Sequence, residues 1–84
     1  MVYYLILCRS LTYAQKTALV LERAGISGYV MRTPKKMAAE GCGYCVKISE
    51  QKLSRALVLL RHSDLSPKQI YIHSEDDTYN EVAL

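Results

Sequence analysis

Val2-Tyr3-Tyr4-Leu5-Ile6-Leu7-Cys8, followed by Arg9-Ser10-Leu11-Thr12-Tyr13-Ala14-Gln15, is the stretch that decides the fold. The first seven residues form an almost unbroken apolar run rich in Tyr, Leu and Ile. Such a run is short enough to be a strand buried on both faces, which predicts a central place in a sheet. Thr12-Tyr13-Ala14-Gln15 then reads as a capping box, with the Thr hydroxyl taking the amide three residues on and Gln15 reaching back. Ala14, Ala18 and Leu21 follow at helical spacing. Gly25 suits the left-handed position that ends such a helix, and Ile26 beyond it can close a Schellman contact onto the last turn.

Working outward, Gly28 to Arg32 predicts a second strand, Pro34 opens a loop reaching Gly41, and Gly43 to Ile48 predicts a third strand. Ser49 is placed to cap a second helix, in which Leu53, Ala56, Leu57 and Leu60 recur at i, i+3, i+4 and i+7. Asp64 to Pro67 ends that helix before a last strand at Gln69 to His73. The order strand-helix-strand-strand-helix-strand is the signature of an α+β, ferredoxin-like βαββαβ arrangement: two helices on one face of a four-stranded antiparallel sheet. A chain of 84 residues holds one such domain, placed at 1–73, with an acidic tail at 74–84 that shows no clear period.

Composition narrows the functional classes. No apolar run approaches the ~20 residues needed to span a bilayer, and no basic region with a small-residue cleavage site opens the chain, so a cytoplasmic protein without a membrane partner is expected. The three cysteines imply no disulfide framework, since thiols in a reducing compartment are more often reactive, metal-binding or inert. Eleven Lys and Arg precede Ser74 against four acids, leaving a body of net +7, while Glu75, Asp76, Asp77 and Glu81 give the tail −4. A basic body favours anionic partners, among them nucleic acid, phosphate, or a thiolate or selenide species.

Gly41-Cys42-Gly43-Tyr44-Cys45 carries the chemistry. A thiol flanked by glycine at a loop-to-strand junction can be approached closely by another molecule, which a cysteine buried for packing does not need. The ferredoxin-like topology brings the ends of the first two strands, the start of the third and the start of the first helix to one edge of the sheet. Cys8, Arg9, Arg32, Lys35, Lys36 and Cys42 should gather there. Cations and the helix dipole both favour thiolate over thiol, so Cys42 is the expected nucleophile. Cys42-x-x-Cys45 resembles a dithiol motif, but residues three apart on a strand point to opposite faces at roughly 10 Å, beyond the ~7 Å reach of a disulfide. Cys8, on the neighbouring strand, is the better candidate to meet Cys42 or Cys45 across the ladder, with the packing role of a small hydrophobe as the bland alternative for it. A zinc site from Cys42, Cys45 and His62 or His73 lacks a second ligand pair, and neither a metal nor a cofactor is implied. His62 suits a helix C-terminus, where the dipole favours a cation.

Ser10-x-x-Tyr13-Ala14 leading to Glu22-Arg23-Ala24-Gly25-Ile26, then Arg32-x-Pro34-Lys35 and Gly41-Cys42-Gly43 before an apolar strand, resembles the selenium/sulfur carrier-like family of small proteins. The resemblance runs to about Ile48. It implies a carrier that holds a persulfide or perselenide on Cys42, between a donor of the cysteine desulfurase or selenocysteine lyase type and an acceptor enzyme. Where that family usually has a proline-arginine step and hydroxyl residues before the cysteine, this chain has Lys35 and Ala38-Ala39. Independently of any family, a carrier thiol needs a thiolate, an exposed approach and a charge to hold the terminal anion. Cys42, the amides around Gly41 and Gly43, and Arg9, Arg32, Lys35 or Lys36 supply these, with Cys45 or Cys8 as a second thiol. No general base or substrate pocket is indicated, so relay is favoured over autonomous catalysis.

The rivals are an RNA-binding module and a small-ligand regulatory module of the same fold. Gly41-x-Gly43-Tyr44 fits an RNA-recognition strand in part, but Glu40, Cys42 and Lys47 stand where a basic residue and two aromatics belong, so nucleic acid is disfavoured. Tyr3, Tyr4 and Tyr44 on the open face would stack bases or pack a dimer. Alternation along the first strand leaves Tyr4 and Ile6, or Tyr3 and Leu5, away from the helices, to be hidden by a homodimer, a partner enzyme or the tail.

Overall fold

The computed structural model describes residues 2–35, 43–67 and 69–82. The chain runs β1 (Tyr3–Cys8), α1 (Leu11–Arg23), β2 (Tyr29–Arg32), β3 (Tyr44–Ser49), a 3₁₀ turn at Glu50–Lys52, α2 (Leu53–His62), β4 (Gln69–His73) and β5 (Tyr79–Glu81). The apolar run at the N-terminus is the central strand, as its two-sided hydrophobicity requires. β1 pairs antiparallel with β3 on one side and β4 on the other, within the order β2-β3-β1-β4-β5. The expected four-stranded sheet is therefore five-stranded. The fifth strand comes from the acidic segment after Ser74, which pairs antiparallel with β4 at the sheet edge.

Both helices bury their apolar stripes against one sheet face. Ile6 and Cys8 of β1, Val46 and Ile48 of β3 and Ile70 of β4 pack with Ala14 and Leu21 of α1 and Ala56 and Leu60 of α2. The opposite face carries Leu5, Leu7, Cys45 and Tyr71, against which Met31 and Tyr79 pack. Leu5 is 1% exposed and Leu7 7%, so the expectation of an uncovered face does not hold at these positions. Tyr4 and Tyr44 pack on the helix side, leaving Tyr3 alone of the three tyrosines with the Leu5 face, as strand alternation dictates.

Helix ends follow local chemistry. α1 begins two residues earlier than the expected capping box: Ser10 is the cap, its Oγ accepting from the Tyr13 amide at 3.1 Å. At the far end Gly25 sits at φ 80°, its amide donating to the Glu22 carbonyl and that of Ile26 to the Leu21 carbonyl, each at 2.9 Å. This is the Schellman closure read from Gly25-Ile26, and Ile26 is fully buried. α2 ends the same way, with Asp64 at φ 58° and the Leu65 amide donating to the Leu60 carbonyl at 2.8 Å. Ser49 precedes the 3₁₀ turn without a side-chain capping bond.

Candidate functional site

The end of the sheet where β1 and β2 finish and β3 begins is built by register. Arg32 of β2 lies opposite Tyr44 of β3, and Tyr44 lies opposite Cys8 of β1, so one row crosses three strands on the face that the helices cover. Arg9 follows Cys8 directly and leads into the Ser10 cap of α1. One residue beyond the row, the Thr33 amide donates to the Gly43 carbonyl at 2.8 Å and extends the β2–β3 pairing to the mouth of the connecting loop. Cys8, Arg9, Arg32 and Gly43 thus share the edge expected for them, and Lys35, exposed, lies two residues past Thr33. Lys36, Gly41 and Cys42 lie outside the described residues.

Each arginine at this end is seated on an aromatic ring. The Arg9 guanidinium carbon stands 4.9 Å from the centroid of Tyr13, and that of Arg32 stands 5.6 Å from the centroid of Tyr44. Both fall within the range in which a ring face attracts a cation, and both side chains are otherwise exposed. A guanidinium held over a ring is restrained in orientation but keeps its N–H edges for an anion. Neither tyrosine was read in the sequence as a seat for an arginine. The Arg9-x-x-x-Tyr13 spacing at a helix start and the cross-strand Arg32–Tyr44 pairing are the signals that could have found them.

The two described cysteines are thiols with different surroundings. Cys8 is 5% exposed on the helix side, its Sγ donating to the Ile6 carbonyl at 3.5 Å. Cys45 is fully buried on the opposite face, between Leu7 and Met31 in register. Adjacent register positions on antiparallel strands alternate in face, so Cys8 and Cys45 do not meet across the ladder, contrary to expectation. Among the described residues no group of three His, Cys, Asp or Glu side chains converges to hold a metal ion. No helix among them is long and apolar enough to cross a membrane.

The fold makes different demands on the three described glycines. Gly25 needs its left-handed backbone. At Gly28 a Cβ would stand 2.9 Å from Val46 Cγ1 and 3.3 Å from Leu21 Cδ1, so packing against the core just before β2 disfavours a side chain. At Gly43 a Cβ would meet nothing within 4 Å among the described residues, and no left-handed backbone is recorded there. Neither conformation nor packing among the described residues asks for glycine at Gly43, which is exposed and is joined to Cys42 by one peptide bond.

His73, which carried no signal in the sequence, is a structural residue of the β4–β5 hairpin. Its ring stacks on Tyr79 at 4.4 Å between centroids, and its Nε2 lies 2.8 Å from Asp77 Oδ1. Asp76 Oδ1 accepts from the Thr78 hydroxyl at 2.7 Å and the Thr78 amide at 3.3 Å. The hydroxyl bond is the main cause holding the Asp76 carboxyl below its ordinary value of 3.8.

A family model described as Putative Se/S carrier protein-like matches residues 3–72, from the start of β1 to the penultimate residue of β4. No curated protein and no solved structure matches the chain significantly.

Proposed function

The chain belongs to the Se/S carrier protein-like family, and from that premise we propose that it carries sulfur or selenium as a persulfide or perselenide on Cys42. The observation that carries the reading is Gly43. A glycine that nothing among the described residues requires, exposed beside a cysteine at the head of a strand with no exposed residue, supports close approach of a partner to that cysteine. The order β2-β3-β1-β4 with both helices on one face supports a ferredoxin-like frame to which β5 is added.

Loading is a displacement at sulfur. The Cys42 thiolate attacks the outer sulfur of a persulfide on a desulfurase-type donor; a new S–S bond forms on Cys42, the donor's own S–S bond breaks, and the donor cysteine leaves as thiolate. No external oxidant enters, because the transferred sulfur keeps its oxidation level. The product is anionic at its terminal atom; Arg9, Arg32 and Lys35 at this sheet end, and Lys36 next in sequence, are the cations proposed to hold it. Delivery repeats the displacement on an acceptor enzyme's nucleophile. Cys45, fully buried, and Cys8, 5% exposed, are poorly placed to meet a partner, because a thiol must be reached to react. The site of action is the reducing cytoplasm.

Cyanolysis tests the reading. After incubation with a cysteine desulfurase and cysteine, the protein releases thiocyanate when treated with cyanide, and Cys42→Ala does not. Equal release from both proteins places the sulfur elsewhere and overturns the assignment.

A further inference from the structure

A cleft of about 260 Å³ opens between the end of β1, the first turns of α1 and the α2–β4 connection. Its apolar lining includes Ile6, Leu65 and Pro67, and its lining residues with small polar side chains are Cys8, Thr17 and Ser66. Among the described lining residues the charged side chain is Arg9, with Tyr13 beneath its guanidinium, and none is Asp or Glu. An apolar pocket with a few convergent polar groups is the usual form of a small-molecule site. A guanidinium at its mouth favours an anionic ligand.

We propose that this cleft binds a small carboxylate with an aliphatic body, the carboxylate engaging Arg9 and the chain lying against Ile6, Leu65 and Pro67. The ring of Tyr13 holds the guanidinium in place before the ligand arrives, which reduces the side-chain entropy lost on binding. The Cys8 thiol, donating to the Ile6 carbonyl, also lines the cleft. The volume of about 260 Å³ leaves room for a body of about six carbons. The site stands whether or not Cys42 carries a chalcogen, because it is assembled from β1, α1 and the segment before β4.

The test is titration of the full chain, labelled with ¹⁵N, with sodium hexanoate and separately with hexanamide, which has the same body without the charge. Hexanoate is expected to shift the amides of Cys8, Arg9, Tyr13 and Gln69 saturably, with a dissociation constant on the order of 1 mM. Hexanamide is expected to bind at least fivefold more weakly. Arg9→Gln, at an exposed position, removes most of the preference for hexanoate over hexanamide. Ser66→Phe, on the exposed rim, fills the cleft and weakens both probes. Equal affinity for the two probes, shifts that map elsewhere on the fold, or affinities unchanged in both variants overturn the proposal, as does the absence of any saturable shift.

Discussion

The Thr33 amide and the Gly43 carbonyl are joined by a 2.8 Å hydrogen bond one residue beyond the last register pair of β2 and β3. This bond is the last described link between β2 and β3 before the segment that carries Cys42. Gly43 uses its backbone for the fold and has no side-chain space to protect. Its side-chain-free character is therefore available to whatever approaches Cys42.

The three glycines should respond differently to alanine. Gly43→Ala is expected to leave stability unchanged or raise it by up to ~1 kcal/mol, through the smaller entropy of the unfolded chain. Gly28→Ala should cost about 1–3 kcal/mol, as its methyl group overpacks Val46 and Leu21. Gly25→Ala should cost roughly 1–2 kcal/mol from the left-handed backbone alone. Urea denaturation orders the three, and a Gly43→Ala loss as large as that of Gly28→Ala would remove the argument from Gly43.

Capping of α1 offers a second discrimination. Ser10→Ala deletes the acceptor of the Tyr13 amide and should cost about 1 kcal/mol. Thr12→Ala, at an exposed position inside the first turn, should change stability by less than about 0.5 kcal/mol. The reverse ranking in thermal or urea melts would restore the capping box at Thr12.

The β4–β5 hairpin should loosen in acid. Asp76 titrates below its ordinary value in the folded chain because the Thr78 hydroxyl and amide donate to its ionised form. A depressed folded value means that the carboxylate stabilises the hairpin above about pH 4 and that this contribution disappears as pH falls through the lower folded value. Amide exchange at Thr78 should accelerate below pH 4 relative to that at Ile70. Thr78→Val should abolish that difference, and an unchanged profile in the variant would show that Asp76 does not control the turn.

Stacking secures the same hairpin. Tyr79→Ala removes the ring on which His73 lies and the cover it gives to the Leu5 cluster, at a cost of roughly 0.5–1.5 kcal/mol beyond the lost area. Hydrogen exchange should then show β5 opening while the β1–β3 ladder stays protected. Unfolding of all strands together would mean that β5 is integral to the domain's cooperativity.

What the sequence disclosed follows from where its signals are local. The apolar run Tyr3–Cys8, the Gly25-Ile26 closure and the i, i+3, i+4 pattern of α2 are short-range features, and each appears at the expected place. β5 was missed because Tyr79-Asn80-Glu81 is three residues long, and its pairing depends on β4 and on the His73–Tyr79 stack, neither of which leaves a periodic trace. Ser10 lost to Thr12 as the expected cap because Gln15 completes a box pattern that the backbone does not use. At the candidate site the clustering of Cys8, Arg9, Arg32 and Gly43 followed from topology alone. The seating of the two arginines on Tyr13 and Tyr44 did not, since it depends on side-chain directions across the ladder.

The proposed holding of a chalcogen anion by those arginines gives a functional expectation. Arg32→Met keeps apolar cover over Tyr44 but removes the charge, and is expected to slow persulfide loading several-fold with little change in stability. Loading rates measured at low and high salt check this. A salt dependence identical in wild type and variant would show that Arg32 takes no part.

Intact-mass measurement of wild type and Cys42→Ala after incubation with a cysteine desulfurase and either cysteine or selenocysteine tests the central claim most directly. Wild type is predicted to gain one or more chalcogen atoms that a thiol reductant removes, while Cys42→Ala gains none. Unmodified wild type, under conditions that load a known sulfur carrier, would contradict the account.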